Sequence, residues 1–363
     1  MPWYGAAGFW SRLREAYLFS YLVRRGLYVI PLVLGVSLLV FILFNLVGGD
    51  PTYLIAGKNA TEEQIADLRA ELGFNKPLLH QFGDQLKQQV TFDFGRSLIT
   101  HQRISSMLAA GVVPSLCLTV PPFIMGLLMA VSIALLVCYN RGTLLDRSVV
   151  IFTVAGMSIT PLAYILAGQY VLAFKWDLFP ITGWEYPEIG WAVLYESKNV
   201  AGELISRWHY PFIPDIGQFF YEVGVMLSYL YLPWMIWILT GLGSDVRFYR
   251  TVLLDEVSQD YVRTARAKGL SEPKVFFKHI LMNAMIPIIT SVVIRIPYLY
   301  TGSLLLENFF GIPGLGSMAI NGINNSDFPV VKAVTLIGSL LFIVFNLISD
   351  VCYAVVDPRV KLG

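Results

Sequence analysis

Apolar residues fall in six blocks along the chain, and polar residues gather between them. The blocks lie at about 27–47, 111–138, 148–174, 224–243, 284–306 and 332–355. A helix crossing a bilayer needs roughly 20 apolar residues at 1.5 Å rise each. Each block therefore predicts a membrane-spanning helix. The segments between them are 48–110, a tight turn at 139–147, then 175–223, 244–283 and 307–331. A cleaved leader is the competing reading of the first block. The run Leu27 to Val47 is longer than a leader core, and Gly48-Gly49-Asp50-Pro51 is no small-x-small cleavage site.

Basic residues give these spans a direction. Arg12, Arg14, Arg24 and Arg25 precede the first span, and Arg141 and Arg147 sit in the 139–147 turn. Segment 244–283 carries Arg247, Arg250, Arg263, Arg266, Lys268, Lys274 and Lys278, and Arg359 and Lys361 follow the last span. The alternate segments differ: 307–331 has no Lys or Arg, and 175–223 is mostly acidic. Short loops rich in Lys and Arg stay on the cytoplasmic side, whereas long loops such as 48–110 are largely exempt. Both termini are expected to be cytoplasmic, with 48–110 and 175–223 outside.

Local signals fill in the segments. In 48–110, Thr61-Glu62-Glu63-Gln64 reads as a capping box and Gly73 as a C-terminal cap, delimiting an amphipathic helix outside the membrane. Stretch 8–26 interleaves Phe9, Trp10, Tyr17, Phe19 and Tyr21 with arginines, the pattern of a helix lying on the membrane surface. It reads equally as a mere extension of the first span. Trp176, Trp184, Trp191 and Trp208 suit either a belt at headgroup level or the core of a small outer domain.

Composition agrees. Of 363 residues, 56% are hydrophobic and 14% charged, against about 25% charged in soluble chains. Net charge is +1, so no basic field points to nucleic acid. Cys117, Cys138 and Cys352 lie in apolar blocks, and the four histidines are scattered, which argues against a disulfide framework or a metal site.

The most informative stretch runs from Asp255 to Pro287. Asp260 is placed to cap a short helix at 261–268 that Gly269 ends. Ser271 then starts a second helix, with Pro273 tolerated in its first turn. The first helix is small-sided at Thr264, Ala265 and Ala267 and basic at Arg263, Arg266 and Lys268. One reading is a solvated loop touching lipid headgroups; the other is a docking helix for a partner protein.

The string Asp260-Tyr261-Val262-Arg263-Thr264-Ala265-Arg266-Ala267-Lys268-Gly269 resembles the cytoplasmic coupling loop of binding-protein-dependent ABC importer permeases, in particular the dipeptide/oligopeptide (nickel) branch. Asn283-Ala284, Pro287, Phe310 through Gly316, Asp327-Phe328-Pro329-Val330, Asn346, Asp350 and Asp357-Pro358-Arg359 match it too. So do Gly49-Asp50-Pro51, the run from Leu68 to Gly73, Pro77-Leu78 and Asp93-Phe94-Gly95-Arg96-Ser97-Leu98. The resemblance covers about 22–361, in order. Arg263 and Thr264 depart from the general motif's Glu-Ala, as is usual in the peptide branch.

That resemblance implies an all-α, six-span integral membrane domain over 27–361, similar to the type I ABC importer permease; the interfacial helix read from the residue pattern within 1–26 and the long 175–223 segment exceed a minimal member. It implies import of peptides across the cytoplasmic (inner) membrane, with 244–283 as the coupling loop and 261–268 as its helix. The partners implied are a second homologous permease, two ATP-binding subunits and an extracytoplasmic substrate-binding protein, all in membrane lipid. No cofactor is implied for this chain; the partner subunits use ATP, and the sequence has no G-x-x-x-x-G-K-[ST] phosphate loop of its own. Nickel complexes and oligosaccharides are the alternative cargoes, and an ion-gradient-driven secondary transporter is the alternative class. The latter usually needs intramembrane carboxylates or broken helices, and often internal repeats; Asp350 alone is such a carboxylate, near a span end, and the sequence shows no convincing repeat.

Arg295 lies about eleven residues into the fifth span, where a charge costs at least ~2.5 kcal/mol. It either lines the translocation path or forms a structural ion pair. Asn346 and Asp350, one turn apart, read as helix–helix glue.

Overall fold

A computed structural model describes residues 24–47, 52–53, 60–71, 73–184, 194–198, 204–208, 216–299 and 303–356. The interfacial helix expected at 1–26 lies almost wholly outside the described residues, as do Asp50-Pro51 and Asp357-Pro358-Arg359. The described chain is helical apart from one antiparallel hairpin, β1 (Leu194–Lys198) and β2 (Leu204–Trp208), in register Leu194 to Trp208. That hairpin occupies the acidic 175–223 segment, which carries no strand signal strong enough to predict it.

The helices are α1 (Arg24–Val47), α2 (Glu62–Glu71), α3 (Leu78–Thr91), α4 (Ile104–Tyr139), α5 (Leu144–Met157) and α6 (Pro161–Lys175). They continue as α7 (Ile216–Val257), α8 (Asp260–Ala267), α9 (Glu272–Leu299), α10 (Leu304–Phe310), α11 (Leu315–Asn324) and α12 (Phe328–Val356). Helices α1, α4, α7, α9 and α12 are each long and apolar enough to span a membrane. The third predicted span is instead a pair, α5 and α6, bent by 94°. The cause is local: the Thr160 hydroxyl caps α6 through the Ala163 N–H, and Pro161 cannot continue α5. The fifth span is described as far as Leu299, and 304–306 belong to the separate helix α10, which Ser303 caps. The capping box is present, with Thr61 N–H donating to Gln64 Oε1 at 3.0 Å and Gln64 N–H to Thr61 Oγ1 at 3.3 Å. Gly73 ends α2 at φ +77.

The chain divides into two compact units. One comprises 1–105, 251–301 and 321–363; the other comprises 106–250 and 302–320. In the first, α9 and α12 pack side by side, with Ser349 Oγ donating to the Val293 carbonyl at 2.8 Å and Tyr298 edge-on to Phe342. Arg25 pairs with Asp350 at 2.9 Å, so Asp350 does join two helices. Asn346 bonds back to the Phe342 carbonyl within its own helix instead. Helix α3 is anchored to α1 by buried Gln85, which donates to the Ser37 carbonyl at 2.8 Å.

In the second unit, Leu118, Ile165, Leu230, Leu232, Ile236, Leu306 and Phe310 form a buried cluster. Trp184 packs on the edge of this cluster, among the long helices, whereas Trp176 is exposed. The side chains of Trp191 and Trp208 lie outside the described residues. Helices α5 and α7 approach closely at Gly243, where a Cβ would lie 2.7 Å from the Thr153 carbonyl oxygen.

Candidate functional site

The candidate coupling helix α8 is short because both its ends are specified. Gln259, in an extended conformation, caps the start with its carbonyl, which accepts from Val262 N–H at 3.1 Å. Asp260, expected to be the cap, is instead the first helical residue, and its carboxylate reaches Arg263 at 3.4 Å. Position decides this, since Gln259 alone has the extended backbone a cap requires. At the other end Gly269 takes φ +75. Its N–H bonds the Arg266 carbonyl at 2.9 Å, and Leu270 N–H bonds the Ala265 carbonyl at 3.4 Å. This is a Schellman closure, which needs a residue tolerant of left-handed φ.

Two side-chain ties link α8 to its neighbours. Half-buried Tyr261 donates its hydroxyl to Glu256 at the end of α7, and Asn283 of α9 also bonds that hydroxyl. Burial, then the Glu256 carboxylate, pushes the Tyr261 phenol up to about 12. Arg266 makes a two-pronged contact with Glu272 at the start of α9, at 2.9 and 3.2 Å. The geometry is a bracket joining α8 to the end of α7 and to α9.

The bracket presents a definite face. Val262 and Ala265 are buried, whereas Asp260, Arg263, Thr264, Ala267, Lys268 and Gly269 are exposed. Ala265, expected at the docking surface, faces inward because it lies three residues from Val262 and shares its face. Arg266 is exposed too, and there it pairs with Glu272.

Arg295 sits on α9, half-buried, about 35 Å along the axis from Glu272 at 1.5 Å per residue. The candidate coupling residues, on α8 and its cap just before α9 begins, are thus separated from Arg295 by most of the length of α9. That helix includes a π-helical stretch at Val275–Leu281 and contains Pro287 and Pro297.

Three polar assemblies escape a reading of the sequence alone. Asp146, at the start of α5, accepts from Arg250 of α7 at 3.0 and 3.1 Å and from Gly142 N–H at 3.0 Å. Its signal is a lone acid in a basic turn. Asp327, buried before α12, accepts from Ser97 Oγ and from Leu98 N–H at 3.3 Å, so two of the quoted motifs meet in one contact. Glu307 of α10 is fully buried; it accepts from Ser115 Oγ at 2.8 Å and Ser317 N–H at 3.0 Å. Burial raises its carboxyl above the usual range despite those donors. Its carboxylate fills the space where Gly314 and Gly316 have no side chain, which is why that turn is glycine-rich. A single charge within Leu304-Leu305-Leu306-Glu307-Asn308-Phe309-Phe310 is the available signal.

Two family descriptions match this chain. Residues 18–106 match the N-terminal region of the binding-protein-dependent transport system membrane component, and 122–362 match the binding-protein-dependent transport system inner membrane component. The chain belongs to this inner membrane component family. It is therefore a multi-pass permease subunit of an ABC importer, seated in the inner membrane, with the type I permease fold. It is 31% identical over 344 residues to the glutathione transport system permease protein GsiC of Escherichia coli (strain K12), across 95% of this chain and 99% of that one. The protein of the same name from Salmonella typhimurium is 33% identical over 346 residues, with the same coverage.

Proposed function

We propose that this permease imports peptides and is driven through α8 by separate ATP-binding subunits docked on its cytoplasmic face. The observation that carries the reading is the bracket itself. A helix of eight residues is tied at one end to α7 by Tyr261–Glu256 and at the other to α9 by Arg266–Glu272. A push on its exposed face would be passed to two long helices rather than absorbed by a loop. Rigid elements moving against packed neighbours are how domain closure becomes a change of access.

The distribution of basic residues supports a cytoplasmic location for both termini and for 244–283, with 48–110 and 175–223 outside. A second permease, homologous to this one, completes the pore, and an extracytoplasmic binding protein delivers cargo. ATP is hydrolysed by the partner subunits. The 31–33% identity to glutathione permeases supports a short peptide as cargo, glutathione being a modified tripeptide. On α9, half-buried Arg295 serves the fold rather than the cargo.

Purification of the tagged chain from membranes in mild detergent tests the reading. The expected result is recovery of an ATPase with a phosphate-binding loop and a second six-span permease. A stably extracted chain that purifies alone would favour a gradient-driven transporter. A binding protein selective for nickel complexes or oligosaccharides would replace the peptide assignment.

A further inference from the structure

Two polar contacts clasp α1 to α12. At one end Arg25 of α1 pairs with Asp350 of α12 at 2.9 Å; at the other, Lys332 of α12 donates to Asn45 Oδ1 of α1 at 3.1 Å. The clasps are 20 residues apart on α1 and 18 on α12, about 27–30 Å of helix, which is the thickness of a bilayer's hydrocarbon core. The Asn45–Lys332 contact therefore lies at one face of that core.

Helix α3 descends from this contact into the core. Asn45 Nδ2 donates to Gln81 Oε1 at 2.9 Å, Phe41 meets Phe82 edge-on, and Ser37 Oγ donates to Gln89 Oε1 at 2.8 Å. Both helices advance eight residues from the first of these contacts to the last, so α3 runs antiparallel along α1 for about 12 Å.

The two remaining sides of α3 differ in kind. Leu79, Gly83 and Val90 form one row, in which Leu79 is 85% exposed and Val90 81%. His80, Asp84 and Gln88 form the other, about a third of a turn away, and they are exposed too. A helix surrounded by water would leave the first row bare, and one surrounded by hydrocarbon would strand the second. Gln88 lies seven residues beyond Gln81, about 10 Å below the level of Asn45. Its amide makes no hydrogen bond among the described residues, and its side chain is too short to span that depth. An unbonded amide is strongly disfavoured in hydrocarbon, so water must reach it.

We infer that α3 is a re-entrant helix at the border of lipid and water, whose His80–Asp84–Gln88 row lines a wet vestibule, about 10 Å deep, through which hydrophilic cargo enters the membrane. The inference rests on the reading above, which opens this vestibule to the outside.

The test is thiol accessibility in the assembled complex in nanodiscs, with Cys117, Cys138 and Cys352 replaced by alanine. The probe is a membrane-impermeant cationic methanethiosulfonate. Gln88→Cys and Asp84→Cys should react within about tenfold of Asn75→Cys in the loop before α3, and Val90→Cys about a hundredfold more slowly. Equally fast reaction of Gln88→Cys and Val90→Cys would put α3 outside the membrane, and equally slow reaction would put it in lipid; either overturns the inference alone. Trapping with ATP and vanadate should change the Gln88→Cys rate about threefold or more, as a path with alternating access requires. An unchanged rate in a trapped complex would mean a static crevice and overturn the cargo path. In sealed spheroplasts the reagent should reach Gln88→Cys from outside. Reaction only after permeabilisation would overturn the vestibule's orientation and the parent reading with it.

Discussion

Asp146 and Arg250, 104 residues apart, meet in two hydrogen bonds of 3.0 and 3.1 Å that fasten the start of α5 to the later part of α7. Asp146 is nearly buried, and it accepts a third bond from the Gly142 N–H in the preceding turn. The guanidinium fork matches the carboxylate in a way an ammonium cannot.

Arg250→Ala should therefore destabilise this unit by about 2–3 kcal/mol, the range for stranding a buried charge that has lost its hydrogen-bonded partner. Arg250→Lys should recover only part of that loss. Thermal unfolding of the detergent-solubilised complex measures both. Equal stability of all three proteins would show the pair to be incidental.

Much of the architecture was legible because the bilayer leaves few choices: apolar blocks of 20 or more residues become helices there. The short helix α8 was legible because Gly269 ends it and the preceding string carries helix-forming residues. What escaped reading was three-dimensional. The inward turn of Ala265 depends on what α8 packs against, and its sequence neighbourhood is basic and solvated. The 94° break between α5 and α6 was signalled by Thr160-Pro161, but an unbroken apolar run concealed it. Glu307 is invisible as a site until Ser115, from a helix almost 200 residues earlier, is seen to meet it.

Gly243 offers a sharp steric prediction. A Cβ there would lie 2.7 Å from the Thr153 backbone oxygen and 2.8 Å from Met157 Cγ. Gly241, two residues earlier on the same helix, has only Asp245 Oδ2 at 3.9 Å. Gly243→Ala should cost about 1–3 kcal/mol by forcing α5 and α7 apart. Gly241→Ala should be neutral or stabilising by up to about 1 kcal/mol, since alanine favours helix. The difference in unfolding temperature between the two variants is the measurement. Equal effects would sink the close-approach argument.

Glu307 predicts a pH dependence with a definite sign. Its carboxyl titrates above the ordinary glutamate value because burial opposes ionisation more than the Ser115 and Ser317 donors favour it. A group whose pKa is raised on folding stabilises the fold fully below its unfolded value, near ~4.3, and that stability is lost as pH rises through the folded value. The stability of the native protein should thus fall across that window relative to Glu307→Gln, which cannot titrate. Parallel curves for the two proteins would mean that Glu307 does not change its charge on folding. Gly314→Ala, whose new methyl would overlap the Glu307 carboxyl, should destabilise at every pH.

The coupling reading makes its most discriminating prediction at Gly269. Any side chain there incurs the left-handed backbone strain, about 1 kcal/mol, because φ is +75. No heavy atom lies within 4 Å of where a Cβ would sit, so the space beside it is open. Gly269→Ala therefore carries strain alone, whereas Gly269→Asp carries the same strain and adds bulk and negative charge to the exposed face of α8. If that face docks an ATPase, Gly269→Ala should keep most of the substrate-stimulated ATP hydrolysis, and Gly269→Asp should lose about tenfold or more. Tyr261→Phe should keep the docking face but free the helix from Glu256, so ATP is hydrolysed with less transport per turnover. Reconstituted vesicles read both rates at once. Equal losses in the Ala and Asp variants would trace the defect to backbone strain, and unchanged transport in both would remove α8 from the path of energy coupling.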